Sequence, residues 1–168
     1  MNRNKIIDTA IYIVLIVVFL APRIPMIGSF VTLDEPSWLS QGANFYYALG
    51  QREFENTVYE YQPAVTTMWI ISMAMLIYFP EYRGFGQGYL DYEKGRLDPF
   101  MYEHGKYPLI LLTYARVIQV FIILIFFLLL YYLLQRFIPK LGAVFVLIFS
   151  SFDPYYLGLT RLLTHEAM

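Results

Sequence analysis

The sequence predicts an all-α integral membrane protein with about three transmembrane helices. Its 168 residues are 58% hydrophobic and 15% charged, against roughly 25% charged in soluble domains. The mean hydropathy is +0.50. The strongest apolar stretch, Val117 to Leu134, approaches the ~20 residues that a helix needs to cross a bilayer. Shorter apolar runs at Thr9 to Leu20 and Leu141 to Phe152 predict two further membrane helices.

Charge and cysteine content exclude several classes of function. Lys and Arg total 12 against 13 Asp and Glu, so the net charge of -1 gives no reason to expect a nucleic-acid partner. The chain has no cysteine, which excludes disulfides, thiol catalysis and Cys-ligated zinc. Membrane lipids are the partner that the composition predicts.

The first predicted span covers residues 6–22 and resembles an uncleaved signal anchor, because no small-residue cleavage site follows it. Arg3 and Lys5 precede it, so the positive-inside rule places the N-terminus in the cytoplasm. We therefore expect the large loop that follows, residues 23–108, to be external.

That loop begins with two adjacent acids, Asp34 and Glu35, followed by Pro36. Proline suits the first turn of a helix. Apolar residues then recur at helical intervals, which predicts a helix over Ser37 to Leu49 that lies on the membrane surface and stops at Gly50.

A second apolar run in the loop, Ala64 to Phe79, is of borderline length for a span. If it crosses the membrane, Asp153 lies on the opposite side from Asp34. If it is re-entrant or surface-lying, Arg136 and Lys140 are cytoplasmic and Asp153 joins Asp34 outside. The positive-inside rule favours the second arrangement.

Later segments complete the predicted order, with spans over residues 112–135 and 138–153 and the start of another helix over 154–168. Asp153 followed by proline is typical of a helix start. If that helix runs through Glu166, Arg161 and His165 lie on one face. This face either receives a phosphate or holds Arg161 in a structural pair with a carboxylate.

Two further hypotheses concern charged residues in or near the membrane. Arg116, at the outer end of the second span, either snorkels to headgroups or contacts a lipid phosphate. A metal held by Asp34, Glu35, Asp153 and His165 is conceivable, but nothing in their spacing supports it.

The order of these features resembles the N-terminal part of the GT-C membrane glycosyltransferases, close to the family 39 protein O-mannosyltransferases and the bacterial aminoarabinose transferases. Three segments carry the resemblance: Asp34-Glu35, Gln62-Pro63-Ala64, and Asp153 to Glu166. The likeness extends over almost the whole chain, and it lies in the order of the segments more than in any single motif. Those families commonly have His-Pro-Pro or Pro-Pro where Gln62-Pro63-Ala64 stands.

The resemblance implies transfer, with inversion, of a sugar from a polyprenyl- or dolichyl-phosphate donor to a hydroxyl on protein or lipid. It implies a base at Asp34. Three roles are open for Glu35: it orients Asp34, binds sugar hydroxyls, or is only a helix-start acid stabilised by the N-terminal dipole. A divalent cation is left open as a cofactor. The residues that we expect to bind the donor and its phosphate are Arg161, Asp153, His165, Glu166, Gln62 and Arg116.

The resemblance also implies that residues 1–168 form the N-terminal part of one longer GT-C transmembrane domain, inactive alone, with more spans after Met168. The bacterial cytoplasmic membrane is favoured over the endoplasmic reticulum. Two alternatives remain open: a non-enzymatic membrane scaffold or lipid-linked-sugar transport subunit, and a transferase whose acceptor is a lipid headgroup or polysaccharide.

Overall fold

A computed structural model describes residues 3–58, 64–90 and 97–167. Regular structure in these ranges is helical and no strand occurs there, which confirms the all-α prediction. The α-helices are, in order, α1 (Arg3–Leu20), α2 (Glu35–Gln51), α3 (Val65–Tyr78), α4 (Leu97–Glu103), α5 (Pro108–Leu134), α6 (Lys140–Ser151) and α7 (Pro154–Arg161). Short 3₁₀ turns occur at Phe54–Thr57, Pro80–Gly84 and His165–Ala167.

Within the described residues, α5 is the one helix that is by itself long and apolar enough to cross a membrane. Its 27 residues reach ~40 Å at ~1.5 Å per residue. The 18 residues of α1 include the charged Arg3, Lys5 and Asp8, which shorten its apolar part. The helices α6 and α7 meet that requirement only as a pair, bent by 65°. Of the three predicted spans, only residues 112–135 therefore correspond to a single helix of sufficient length.

The chain divides into two compact units. The first unit contains Met1–Met26 and Val120–Arg161, and the second contains Ile27–Gln119 and Leu162–Met168. Because α5 begins in one and ends in the other, it contributes residues to both.

The first unit is held together by aromatic and apolar contacts between α1, the second half of α5 and α6. Phe19 packs on Phe127 with ring centroids 4.8 Å apart, and Tyr12 meets Tyr131 edge-on at 5.2 Å. Leu147 of α6 is fully buried. The Ser151 hydroxyl donates to the Val18 carbonyl at 3.3 Å, which holds the end of α6 beside the end of α1.

In the second unit α2 is the central helix, and every residue from Leu39 to Ala48 is buried. Its close neighbours are α3, the Pro80–Gly84 turn and α4. A Cβ at Gly42 would lie only 2.5 Å from the Cβ of Ile71, so glycine allows α2 and α3 to approach closely. The helix predicted over 37–49 is therefore present, and protein covers it on several sides. Its position on a membrane surface stays a prediction.

The bounds of α2 also differ from the prediction. The helix starts at Glu35 with Pro36 in its first turn, which confirms the role expected of the proline. It continues through Gly50 and ends at Gln51, and the C-cap residue Arg52 has a left-handed φ of 63°. The predicted stop at Gly50 is wrong, because this glycine makes room for the side chain of Arg83, 2.8 Å from where its Cβ would be.

Candidate functional site

The two acids at the start of α2 have opposite environments. Asp34 precedes the helix, is exposed, and its carboxylate makes no capping hydrogen bond to α2. Glu35 is the first helical residue and only 1% of its surface is exposed. Since consecutive residues of a helix diverge by ~100°, one carboxylate faces outward while the other enters the protein.

Four donors surround the Glu35 carboxylate. Oε1 accepts the Nε–H of Arg116 at 2.8 Å and the backbone N–H of Leu163 at 2.9 Å. Oε2 accepts Nη2–H of Arg116 at 2.6 Å and the backbone N–H of Thr32 at 2.8 Å. A carboxylate has about four lone-pair sites, so this one is saturated. Glu35 therefore anchors the loop, α5 and the C-terminal segment, and it has no free site at which to act as a base or to bind a sugar hydroxyl.

Arg116 occupies the other side of this ion pair and is 1% exposed. Besides its bidentate contact with Glu35, its Nη1 donates to the carbonyl of Ile27, and the guanidinium lies 4.8 Å from the ring centroid of Phe30. Both sequence hypotheses for Arg116, snorkelling to headgroups and contact with a lipid phosphate, are wrong because the side chain is enclosed and paired.

The segment after Arg161 is not the helix predicted through Glu166. The α-helix ends at Arg161, and a 3₁₀ turn follows at His165–Ala167. Side chains from elsewhere in the chain bind the backbone groups that a longer α-helix would have used. Gln119 donates to the Leu162 carbonyl at 2.6 Å, and the Leu163 N–H donates to the Glu35 carboxylate. The predicted shared face of Arg161 and His165 is therefore wrong.

His165 instead packs on α2. The centroid of its ring lies 5.1 Å from the centroid of the Trp38 ring. Trp38 follows Asp34 by about one helical turn. Its Nδ1 is buried and has no hydrogen-bond partner in the described part of the chain. Glu166 is exposed, and its backbone N–H donates to the Thr164 hydroxyl at 3.0 Å.

In the first unit, Asp153 is an N-cap, as predicted, and its Oδ1 accepts the N–H of Tyr156 at 2.8 Å. Arg161 closes the same short helix and donates through Nη2 to the carbonyl of Pro25 at 2.8 Å. The expected structural pairing of Arg161 with a carboxylate does not occur among the described residues. Its Nε is buried and has no partner there.

Sequence reasoning missed Arg23, whose side chain is 0% exposed. Nε donates to the hydroxyl of Thr160 at 2.9 Å, and Nη1 donates to the carbonyls of Phe19 and Ser151 at 3.0 and 3.2 Å. Burial lowers the pKa of this guanidinium, while the nearby Tyr156 acts in the opposite direction. The sequence did contain a signal for this residue, because Arg23 directly follows an apolar run and a proline. A cation at the end of an apolar segment needs specific partners if it is buried.

The remaining predicted residues give no metal site. Gln62 lies outside the described residues. Within the ranges that the structure describes, no group of three His, Cys, Asp or Glu side chains is placed to hold a metal ion.

Protein-family models, curated proteins and solved structures were compared with the chain, and none of them matches it.

Proposed function

We propose that the chain is part of a membrane glycosyltransferase of the GT-C type that moves a sugar from a polyprenyl- or dolichyl-phosphate donor to a hydroxyl of a protein or lipid, with inversion. The observation that carries this is the state of Asp34: an exposed carboxylate without a capping bond, held beside a rigid, fully bonded neighbour. A free carboxylate at a fixed position is what general-base chemistry needs.

Asp34 is the base in this proposal. An alcohol is a poor nucleophile at neutral pH, so a carboxylate within hydrogen-bond reach removes its proton as it attacks the anomeric carbon. Inversion requires this base on the face of the sugar opposite the leaving phosphate. The saturated contacts of Glu35 limit it to a positioning residue that fixes the start of α2.

A departing phosphate needs positive charge and hydrogen-bond donors rather than a strong acid. In the first unit, Arg161 offers such a group, because no described carboxylate neutralises it and its Nε–H is unpaired. Asp153 keeps the structural role of capping the helix that ends at Arg161.

We also propose that the protein is integral to the membrane, with the N-terminus cytoplasmic and Asp34 external. The length and apolar character of α5 support integration into a membrane, and Arg3 and Lys5 before the first span favour this orientation by the positive-inside rule. A bacterial cytoplasmic membrane is favoured over the endoplasmic reticulum.

Asp34→Asn tests the function directly. Membranes containing the full-length gene product are assayed for transfer of labelled sugar from polyprenyl phosphate to endogenous acceptors, and we expect the rate to fall about 100- to 10,000-fold. Glu55→Gln, which neutralises another exposed acid of the second unit, is the matched control and should transfer at the wild-type rate. Unchanged transfer by the Asp34→Asn protein would remove Asp34 from the base role.

One observation favours a second candidate, a non-enzymatic scaffold or lipid-linked-sugar transport subunit. The Glu35 and Arg116 side chains neutralise one another in a buried ion pair, as expected of residues that only stabilise the fold. Under that hypothesis, wild-type membranes show no transfer above that of membranes lacking the protein.

A further inference from the structure

The end of α1 holds a buried cation without a counter-ion among the described residues. Arg23 is fully enclosed in the first unit, and its guanidinium lies 4.0 Å from the centroid of the Phe19 ring. Its hydrogen-bond partners are neutral: the hydroxyls of Thr160 and Ser151 and two backbone carbonyls. Removing an arginine from water normally requires a paired anion, and neutral acceptors offset only part of that cost.

Part of this arrangement is structural. The Phe19 and Ser151 carbonyls belong to the last turns of α1 and α6, where the helix dipoles place partial negative charge. Arg23 therefore caps two helix ends through Nη1. This role leaves Nη2 unexplained, because that nitrogen is buried and has no partner in the described part of the chain.

A second arginine in the first unit also has a buried guanidinium nitrogen without a hydrogen-bond partner among the described residues. Arg161 directly follows Thr160, the acceptor of Arg23, and it donates to the carbonyl of Pro25, two residues beyond Arg23. Each of the two side chains thus reaches from its own segment, residues 23–25 or 160–161, to the other one. Like Nη2 of Arg23, the Nε of Arg161 is buried and unpartnered among the described residues.

We propose that Arg23 and Arg161 together bind one oxyanion of the phosphate class, through the free Nη2–H of Arg23 and the free Nε–H of Arg161. A phosphate oxygen is the acceptor that guanidinium groups prefer, and its negative charge supplies the missing counter-ion. The inference rests on the proposed function only where it identifies the anion as the headgroup of the sugar-carrying lipid; the oxyanion site follows from the arginines.

Binding of three probes tests the site and identifies its ligand. Isothermal titration calorimetry on the full chain in an uncharged detergent would compare geranylgeranyl monophosphate, inorganic phosphate and the uncharged alcohol geranylgeraniol. Arg23→Gln and Arg161→Gln are the variants, and circular dichroism checks their folding. Arg136→Gln is the matched control, since Arg136 is an exposed arginine of the same unit.

We expect the prenyl phosphate to bind about 10- to 100-fold more weakly to each variant than to the wild-type or Arg136→Gln proteins, the range for a lost hydrogen bond to a charged group. The alcohol should not distinguish the four proteins. If inorganic phosphate shows the same arginine dependence at equal affinity, the oxyanion site stands and its ligand is a free phosphate.

Equal affinity of the wild-type and Arg161→Gln proteins for both phosphates would overturn the inference, even if Arg23→Gln fails to fold. So would the lack of saturable phosphate binding by the wild-type chain. Because this readout is binding, its failure is separable from that of the transfer assay. A protein that transfers sugar without arginine-dependent phosphate binding keeps the proposed function and loses this site.

Discussion

Glu35→Gln is the substitution whose effect the structure defines most closely. The new side chain has nearly the same shape but exchanges one acceptor oxygen for an NH₂ group. In either orientation that group would face two donors already present: one N–H of Arg116, together with the backbone N–H of Leu163 or of Thr32. Arg116 would keep its carbonyl partner at Ile27 and lose its counter-ion.

Breaking a buried ion pair on one side costs about 3–5 kcal/mol, because the remaining charge stays in a low-dielectric site. The 2.6 Å Nη2–Oε2 separation and the near-zero exposure of both side chains place Glu35 and Arg116 in this class. We therefore expect Glu35→Gln and Arg116→Gln each to lower the free energy of unfolding by about 3–5 kcal/mol. The double variant should lose less than the sum of the two, because no buried charge remains uncompensated.

The assay is denaturant unfolding of the full chain in detergent micelles, followed by circular dichroism. Lys140→Gln serves as the control, because Lys140 and Asp8 form a pair of similar length, 2.7 Å, whose side chains are 55% and 43% exposed. Solvent screening should make that loss several-fold smaller than the loss from the buried pair. A Glu35→Gln protein within about 1 kcal/mol of wild type, or additive single losses, would refute the buried-pair reasoning.

Two further predictions concern packing and pH. Gly42→Ala should destabilise the chain by about 1–3 kcal/mol, because the new methyl group clashes with Ile71. At Gly142 the nearest atom lies 3.8 Å from the new Cβ, so Gly142→Ala should stabilise α6 by about 0.5–1 kcal/mol. Thermal melts of both variants compare the two sites. The hydrogen bond from Tyr89 lowers the pKa of Glu53 below 4.5, so its stabilisation is present above pH 4.5 and is lost as the pH falls through the folded-state pKa. Tyr89→Phe should raise the pKa of the Glu53 carboxyl toward 4.5 in an NMR titration, and an unmoved titration would contradict this.

Local sequence signals predicted local structure well. The start of α2 at a proline, the Asp153 cap of α7 and the long apolar α5 all depend on residues close together in the chain. Each of these features has its cause within one or two helical turns, which is the range that pattern reading covers.

Tertiary contacts determined what the patterns could not. The prediction that α7 continues to Glu166 fails because Gln119 and Glu35 take the backbone groups of Leu162 and Leu163. Arg116 lies 81 residues from its partner Glu35, a pairing that no periodicity encodes. The sequence hypotheses for Arg116 considered only partners outside the protein, and the buried carboxylate of Glu35 was missed.

The opposite environments of Asp34 and Glu35 determine how the activities of their variants must be interpreted. Because Glu35 fixes the start of α2, its loss should reduce sugar transfer by displacing Asp34, and transfer should fall in step with the free energy of unfolding. Loss of the Asp34 carboxylate breaks no capping bond, so Asp34→Asn should lower transfer about 100- to 10,000-fold while the free energy of unfolding stays at the wild-type value. Equal loss of stability in both variants would mean that the acids act as one structural unit, and the base would then have to be sought elsewhere.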